Sequence, residues 1–190
     1  MKRIAVFASG NGTNFENITR FLSGNENAEV ALLVCNKADA FALQRAERLG
    51  VESLIWKKGD FADEKRTMQM LNDHGIDFIV LAGFLLMIPS YLIRHFDHRM
   101  INIHPSLLPK YGGKGMYGSH VHEAVKAAGE TETGITIHFV SEECDGGEII
   151  RQEKTLLSPS DTADDIASKV HTLEKQFFPQ TIIDIIEKLK

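Results

Sequence analysis

The sequence holds 190 residues, 43% of them hydrophobic, which is enough for one domain with a full core and no stapling. No apolar run reaches the ~20 residues of a membrane span, and a net charge of −5 with the charges interspersed offers no basic footprint for nucleic acid. Two cysteines, Cys35 and Cys144, lie far apart and outside any CxxC pair, arguing against a disulfide framework or structural zinc and for a reducing cytoplasm.

Apolar runs of strand length alternate with amphipathic segments, the rhythm of an α/β fold with a mostly parallel sheet. Lys2–Ala8 reads as the first strand; Gly10 and Gly12 follow too soon for a signal peptide. A helix is expected over Thr13–Leu22, opened by a Thr/Asn cap. Glu29–Cys35 is the second strand. In Ala38–Leu49, Phe41, Leu43, Ala46 and Leu49 fall at helical spacing, and Gly50 ends the helix. Glu52–Trp56 is a short strand and Phe61–His74 a helix. Asp77–Ala82 is apolar enough for a strand buried on both faces. A short helix follows Pro89, then a strand over Met100–Ile103 and a glycine-rich loop over Gly112–Ser119. Glu132–Val140 and Glu148–Lys154 flank the turn Asp145-Gly146-Gly147 and are expected to pair antiparallel. Thr162–Lys190 reads as helical, with Pro179 as a point of interruption. With no repeat and no linker, residues 1–190 are expected to form a single domain.

Between the first strand and helix lies Ser9-Gly10-Asn11-Gly12-Thr13-Asn14. Glycines permit a tight turn, and the helix N-terminus supplies free N–H groups and a positive dipole end, which suits a phosphate. A plain βα turn uses the same residues, so the loop alone leaves both readings open. It is not a dinucleotide fingerprint, because Phe15 takes the third glycine position and the second strand runs into Asn36-Lys37. Nor is Gly112-Gly113-Lys114-Gly115 a Walker loop, lacking both its spacing and the Ser/Thr after Lys. For His120/His122 and His95/His98 a surface or capping role is favoured over metal ligation. His138 alternates with apolar neighbours and reads as a core or pocket-lining residue.

INIHPSLLP differs in kind. Asn102 and His104 alternate on a short strand, so both side chains leave one face. Pro105 stops the sheet and Pro109 stiffens the loop beyond it. Two polar groups at the C-terminal end of a strand stand where open α/β sheets bind ligands. An amide NH₂ donates to a developing oxyanion; an imidazole donates or transfers a proton. The pair calls for a carboxylate to orient the histidine, and Asp145 in CDGG is the candidate.

On these residues the chain resembles the phosphoribosylglycinamide formyltransferases, folate-dependent enzymes of purine synthesis. The likeness spans SGNGTN, CNKADAFALQRA, LAGF at Leu81–Phe84, NIHPSLLP, GITIHFV, CDGGEII and a late helix carrying Glu174. It implies a Rossmann-like formyltransferase fold, with helices on both faces of the sheet and an antiparallel C-terminal addition. It also implies transfer of a formyl group from 10-formyltetrahydrofolate, as co-substrate and without a metal, to the amine of glycinamide ribonucleotide. Asn102, His104 and Asp145 would be the catalytic trio, with Asp145 holding His104 protonated. Gly12, Thr13 and Asn14 would bind the substrate phosphate, and Glu174 would face its glycinamide or ribose end. Leu85, Leu86, Met87, Ile88, Phe139, Val140 and Cys144, with Asn102, would line the folate pocket.

The partners so implied are small molecules, not nucleic acid or membrane, and the protein would act as a monomer or homodimer. Two departures stand out: Leu85-Leu86-Met87 replaces a run that often carries Arg, and Tyr111–Ser119 is longer than the usual link. Two formyl-folate relatives, methionyl-tRNA formyltransferase and formyltetrahydrofolate deformylase, carry an additional domain and are disfavoured by the chain's length. A catalytically dead binding protein would be expected to lack one of the trio.

Overall fold

The computed structural model describes residues 1–189; Lys190, the expected end of the last helix, lies outside the described residues. Seven strands form one sheet: β1 (Lys2–Ala8), β2 (Ala28–Cys35), β3 (Glu52–Ile55), β4 (Phe78–Leu81), β5 (Met100–His104), β6 (Glu132–Phe139) and β7 (Ile149–Leu156). Their spatial order is β3-β2-β1-β4-β5-β6-β7. β1 to β5 run parallel, whereas β5 pairs with β6, and β6 with β7, antiparallel. The expected mostly parallel sheet with an antiparallel addition is therefore what forms.

Alternation along β1 explains the layers. Ile4, Val6 and Ala8 point to one face, where they pack against α1 (Thr13–Phe21), α2 (Phe41–Leu49) and α7 (Ala163–Ile186). Ala5 and Phe7 point to the other, under α3 (Lys58–Phe61), α4 (Glu64–Asp73) and α5 (Ser90–His95). A smaller cluster joins Val121 and Val125 of α6 (Ser119–Ala127) to Ile166 of α7.

Four local readings change. The helix expected over Phe61–His74 is two, because Asp63 caps α4 by accepting from the Arg66 N–H at 2.9 Å. The cap of α1 is not a Thr or Asn but Gly12, left-handed at φ 75° and making no side-chain cap bond. α6 was hidden behind the glycine-rich loop, its N-cap being Gly118. Finally, Pro179 does not interrupt α7. Proline removes the N–H that would bond the Lys175 carbonyl, and Asn17 Nδ2 donates to that carbonyl instead, at 3.0 Å. Among the described residues no helix is long and apolar enough to cross a membrane.

Candidate active site

The strand order reverses at β1, with β2 on one side and β4 on the other, and an open α/β sheet leaves its crevice at such a switch. There a cleft of about 420 Å³ opens, lined by the β1–α1 loop, Ala82–Leu85, Asn102–Pro105, Asp145 and Glu174. Residues from five separate parts of the chain thus meet in one concavity.

On its glycine side, α1 starts at Thr13 with no side chain capping its first N–H groups, as an anion site requires. Gly12 is obligatory: besides its positive φ, a Cβ there would stand 2.6 Å from the Ala42 Cβ. Asn11 is held from outside, its carbonyl and side-chain oxygen accepting from Arg45 at 2.8 and 2.6 Å. Arg45 is itself paired with Glu16. Asn14 Nδ2 donates to Glu174 Oε2 at 3.1 Å, joining two expected substrate groups through one contact. Burial pushes the Glu174 carboxyl above its ordinary value, against the pull of His171 and Asn14.

The expected trio converges. His104 Nδ1 lies 3.5 Å from Asp145 Oδ2, and Asn102 Nδ2 donates to Asp145 Oδ1 at 3.4 Å. His138 completes the group: its Nε2 sits 3.1 Å from Asn102 Nδ2 and 3.7 Å from Asp145 Oδ1, while its Nδ1 faces the Phe139 carbonyl at 2.8 Å. Asp145 adopts φ 55°, a left-handed conformation a non-glycine residue seldom holds, and Gly147 lets the strand return within touch of Phe139.

The resting charge differs from the expectation of a standing His104 cation. Burial is the largest influence on His104 and holds it below the usual histidine value, outweighing the attraction of Asp145 and the Tyr111 carbonyl. Asp145 remains a carboxylate: desolvation opposes its ionisation, but His138, His104 and the Gly113 N–H together hold it below the ordinary aspartate value. The free site near neutral pH pairs a neutral imidazole with a carboxylate.

Of the expected folate set, Leu85 lines the cleft, half exposed. Leu86 and Val140 pack partly buried against the same hydrophobic cluster, so the two segments flank one edge of the site. Met87 is 63% exposed and Cys144 is exposed, whereas Ile88 spends its side chain on the core. Phe139 is half-buried, edge-on to His98. Lys37, Tyr117 and His122 line the cleft as well, beyond the residues the sequence predicts. The sequence favours a surface or capping role for His122, yet it is only 4% exposed, with Nδ1 lacking a hydrogen-bond partner among the described residues. Its neighbour Val121 at a helical core position was the available signal, since a helix here turns His122 inward beside it.

The Formyl transferase family model matches residues 2–182. The chain is 39% identical to the chloroplastic phosphoribosylglycinamide formyltransferase of Arabidopsis thaliana, over 98% of this chain and 66% of that one, just under two thirds of its length. It is 38% identical to the phosphoribosylglycinamide formyltransferase of Bacillus subtilis, over 98% of this chain and 95% of that one. The crystal structure of the Bacillus halodurans phosphoribosylglycinamide formyltransferase superposes with a TM-score of 0.88 at 33% identity, covering 100% of this chain and 97% of the other. With matching sequence, matching fold and a convergent Asn-His-Asp site at the switch point, this chain belongs to the formyl transferase family.

Proposed function

We propose that the chain, as one catalytic domain, transfers the formyl group of 10-formyltetrahydrofolate to the amine of glycinamide ribonucleotide. The observation that carries the proposal is the meeting of Asn102, His104 and Asp145, within 3.5 Å of one another in sequence-distant pairs, beside an uncapped helix start. An amine attacks the formyl carbon directly, so a site without an activated serine or cysteine suits the chemistry.

As the C–N bond forms, negative charge gathers on the formyl oxygen, where Asn102 Nδ2 donates. A preorganised donor of this kind is worth roughly 10²–10³ in rate. His104 is neutral at rest and takes up a proton as that charge appears; the adjacent Asp145 carboxylate stabilises the imidazolium. The attacking nitrogen loses one proton, the departing folate nitrogen gains one as its bond to the formyl carbon breaks, and the His104–Asp145 pair carries it between them through water. Gly12, Thr13 and Asn14 take the phosphate at the start of α1, and Glu174 takes the glycinamide or ribose end. The folate ring lies along Leu85–Ile88 and Phe139–Cys144, where Leu86 and Val140 offer apolar surface and backbone groups read its edge.

The test is purified protein with glycinamide ribonucleotide and 10-formyltetrahydrofolate, followed spectroscopically for the deformylated folate. Turnover is expected, and its absence overturns the assignment. His104→Ala and Asp145→Asn are each expected to lose about 10²–10⁴ in kcat, with the double variant little worse than either, because the pair acts as a unit. Full activity in either single variant removes that residue from the mechanism.

A further inference from the structure

The segment between the NIHPSLLP loop and α6 closes over the catalytic pair by hydrogen bonds that the mechanism has not used. His104 Nε2 stands 2.7 Å from the Tyr111 carbonyl oxygen. The Gly113 N–H donates to Asp145 Oδ2 at 2.9 Å. Both partners of the pair are therefore touched by the backbone of one strap, whose path is demanding. Tyr111 holds φ 56°, and a Cβ on Gly112 would come within 2.4 Å of Leu108 Cδ2. Non-glycine residues in the left-handed region persist only where their surroundings over-determine them.

Those surroundings hold the strap from both sides. The Tyr111 hydroxyl donates to Glu130 Oε1 at 2.9 Å, and Lys110 Nζ reaches the same oxygen at 2.9 Å. From beneath, the Ser106 hydroxyl donates to the Lys110 carbonyl at 2.6 Å. Glu130 itself follows α6, outside the cleft.

A carbonyl oxygen accepts and never donates. At 2.7 Å it must face an N–H, because a ring nitrogen lone pair so close to a carbonyl oxygen would be strongly repelled. The longer 3.5 Å separation of Nδ1 from Asp145 imposes no such demand on the neutral ring. The shorter contact decides the tautomer.

We infer that Tyr111 and Glu130 are positioning residues for the transfer proposed above. Glu130 moors the strap, and the Tyr111 carbonyl keeps a hydrogen on His104 Nε2, so that Nδ1, beside Asp145, is the nitrogen that takes and returns the working proton. The second ring nitrogen of a histidine sets which one is free to titrate. Loss of the mooring lets the ring populate the other tautomer, in which Nδ1 already carries a hydrogen and the working proton has no place beside Asp145.

Protein labelled with ¹⁵N-histidine, with His104 assigned from the spectrum of His104→Ala, reports the tautomer directly. In the unsubstituted protein, neutral His104 is expected as the Nε2–H form alone. Tyr111→Phe and Glu130→Ala are expected to show mixed tautomers and a fall in kcat of at least ~10-fold, part of the roughly 10²–10⁴ that acid–base help supplies. Both KM values stay within about two-fold, since the binding groups are untouched. Glu130→Gln, which still accepts from the Tyr111 hydroxyl, is expected to restore the single tautomer and most of kcat.

An Nδ1–H form in the unsubstituted protein overturns the inference. So does a kcat loss without a tautomer change, or mixed tautomers with full kcat. If the unsubstituted protein transfers no formyl group, the functional reading fails while the resonance still judges where the hydrogen sits.

Discussion

Glu174 brings a carboxyl group into the cleft wall at 8% exposure, and among the described residues its side chain accepts one hydrogen bond, from Asn14. Burial raises its pKa, so in the folded protein it holds its proton to higher pH than in the unfolded chain. The sign follows from linkage: a group that binds its proton more tightly when folded contributes stability below its unfolded value. That contribution is lost as pH rises through the raised folded value. Glu174→Gln keeps an acceptor for Asn14 and removes the charge. The variant is expected to melt at the same temperature as the parent in acid and at a higher one near neutrality. Its KM for the ribonucleotide should rise roughly ten- to hundred-fold, the worth of a hydrogen bond to a charged group. Thermal melts across pH together with substrate titrations check both halves. A stability gain without a binding loss would make Glu174 a structural residue.

At the scale of an element, α7 shows how a rule of local sequence is overridden by tertiary structure. Proline inside a helix costs about 3 kcal/mol or more, partly through the orphaned carbonyl one turn back. Asn17 of α1 supplies that carbonyl's partner across the helix pair, while Phe178 and Pro179 are buried. Asn17→Ala is expected to destabilise by about 1 kcal/mol, lowering Tm by roughly 2–4 °C for a chain of this size. In a Pro179→Ala background, where the Lys175 carbonyl regains a backbone N–H, the same change should cost close to nothing. An equal loss in both backgrounds would mean that Asn17 acts elsewhere. A partner 158 residues away is invisible to periodicity.

The same distinction runs through the site. Asn102 and His104 were legible because one strand period and two prolines fix them locally. So were the glycine loop, read from turn chemistry, and the strands, read from apolar runs. That Asp145 meets His104, that a backbone carbonyl at Tyr111 governs the ring, and that burial leaves His104 neutral are consequences of packing. No residue identity encodes them.

Across the whole molecule, the two loops proposed to receive the two substrates leave the sheet from neighbouring strands, and one side chain ties them together. Ser9, at the end of β1, is 3% exposed. Its N–H donates to the Gly83 carbonyl at 3.0 Å, and its hydroxyl accepts from the Leu85 N–H at 2.8 Å. The tie spans the switch point itself, joining the glycine loop after β1 to the apolar loop after β4. Ser9→Ala keeps the backbone bond and frees the Leu85 N–H. Leu85 is 45% exposed, so water replaces the lost partner and stability should fall by only about 1 kcal/mol. The geometry of the folate edge should suffer more, because the Leu85 N–H then loses the side-chain bond that orients it toward the glycine loop. We expect the folate KM to rise roughly three- to ten-fold, with the ribonucleotide KM changed less than two-fold, about the worth of one neutral hydrogen bond. Separate titrations of each substrate at saturating levels of the other make the comparison. Equal rises in both constants would place the effect in the glycine loop, and no rise in either would show that the two loops keep their relative positions without this contact.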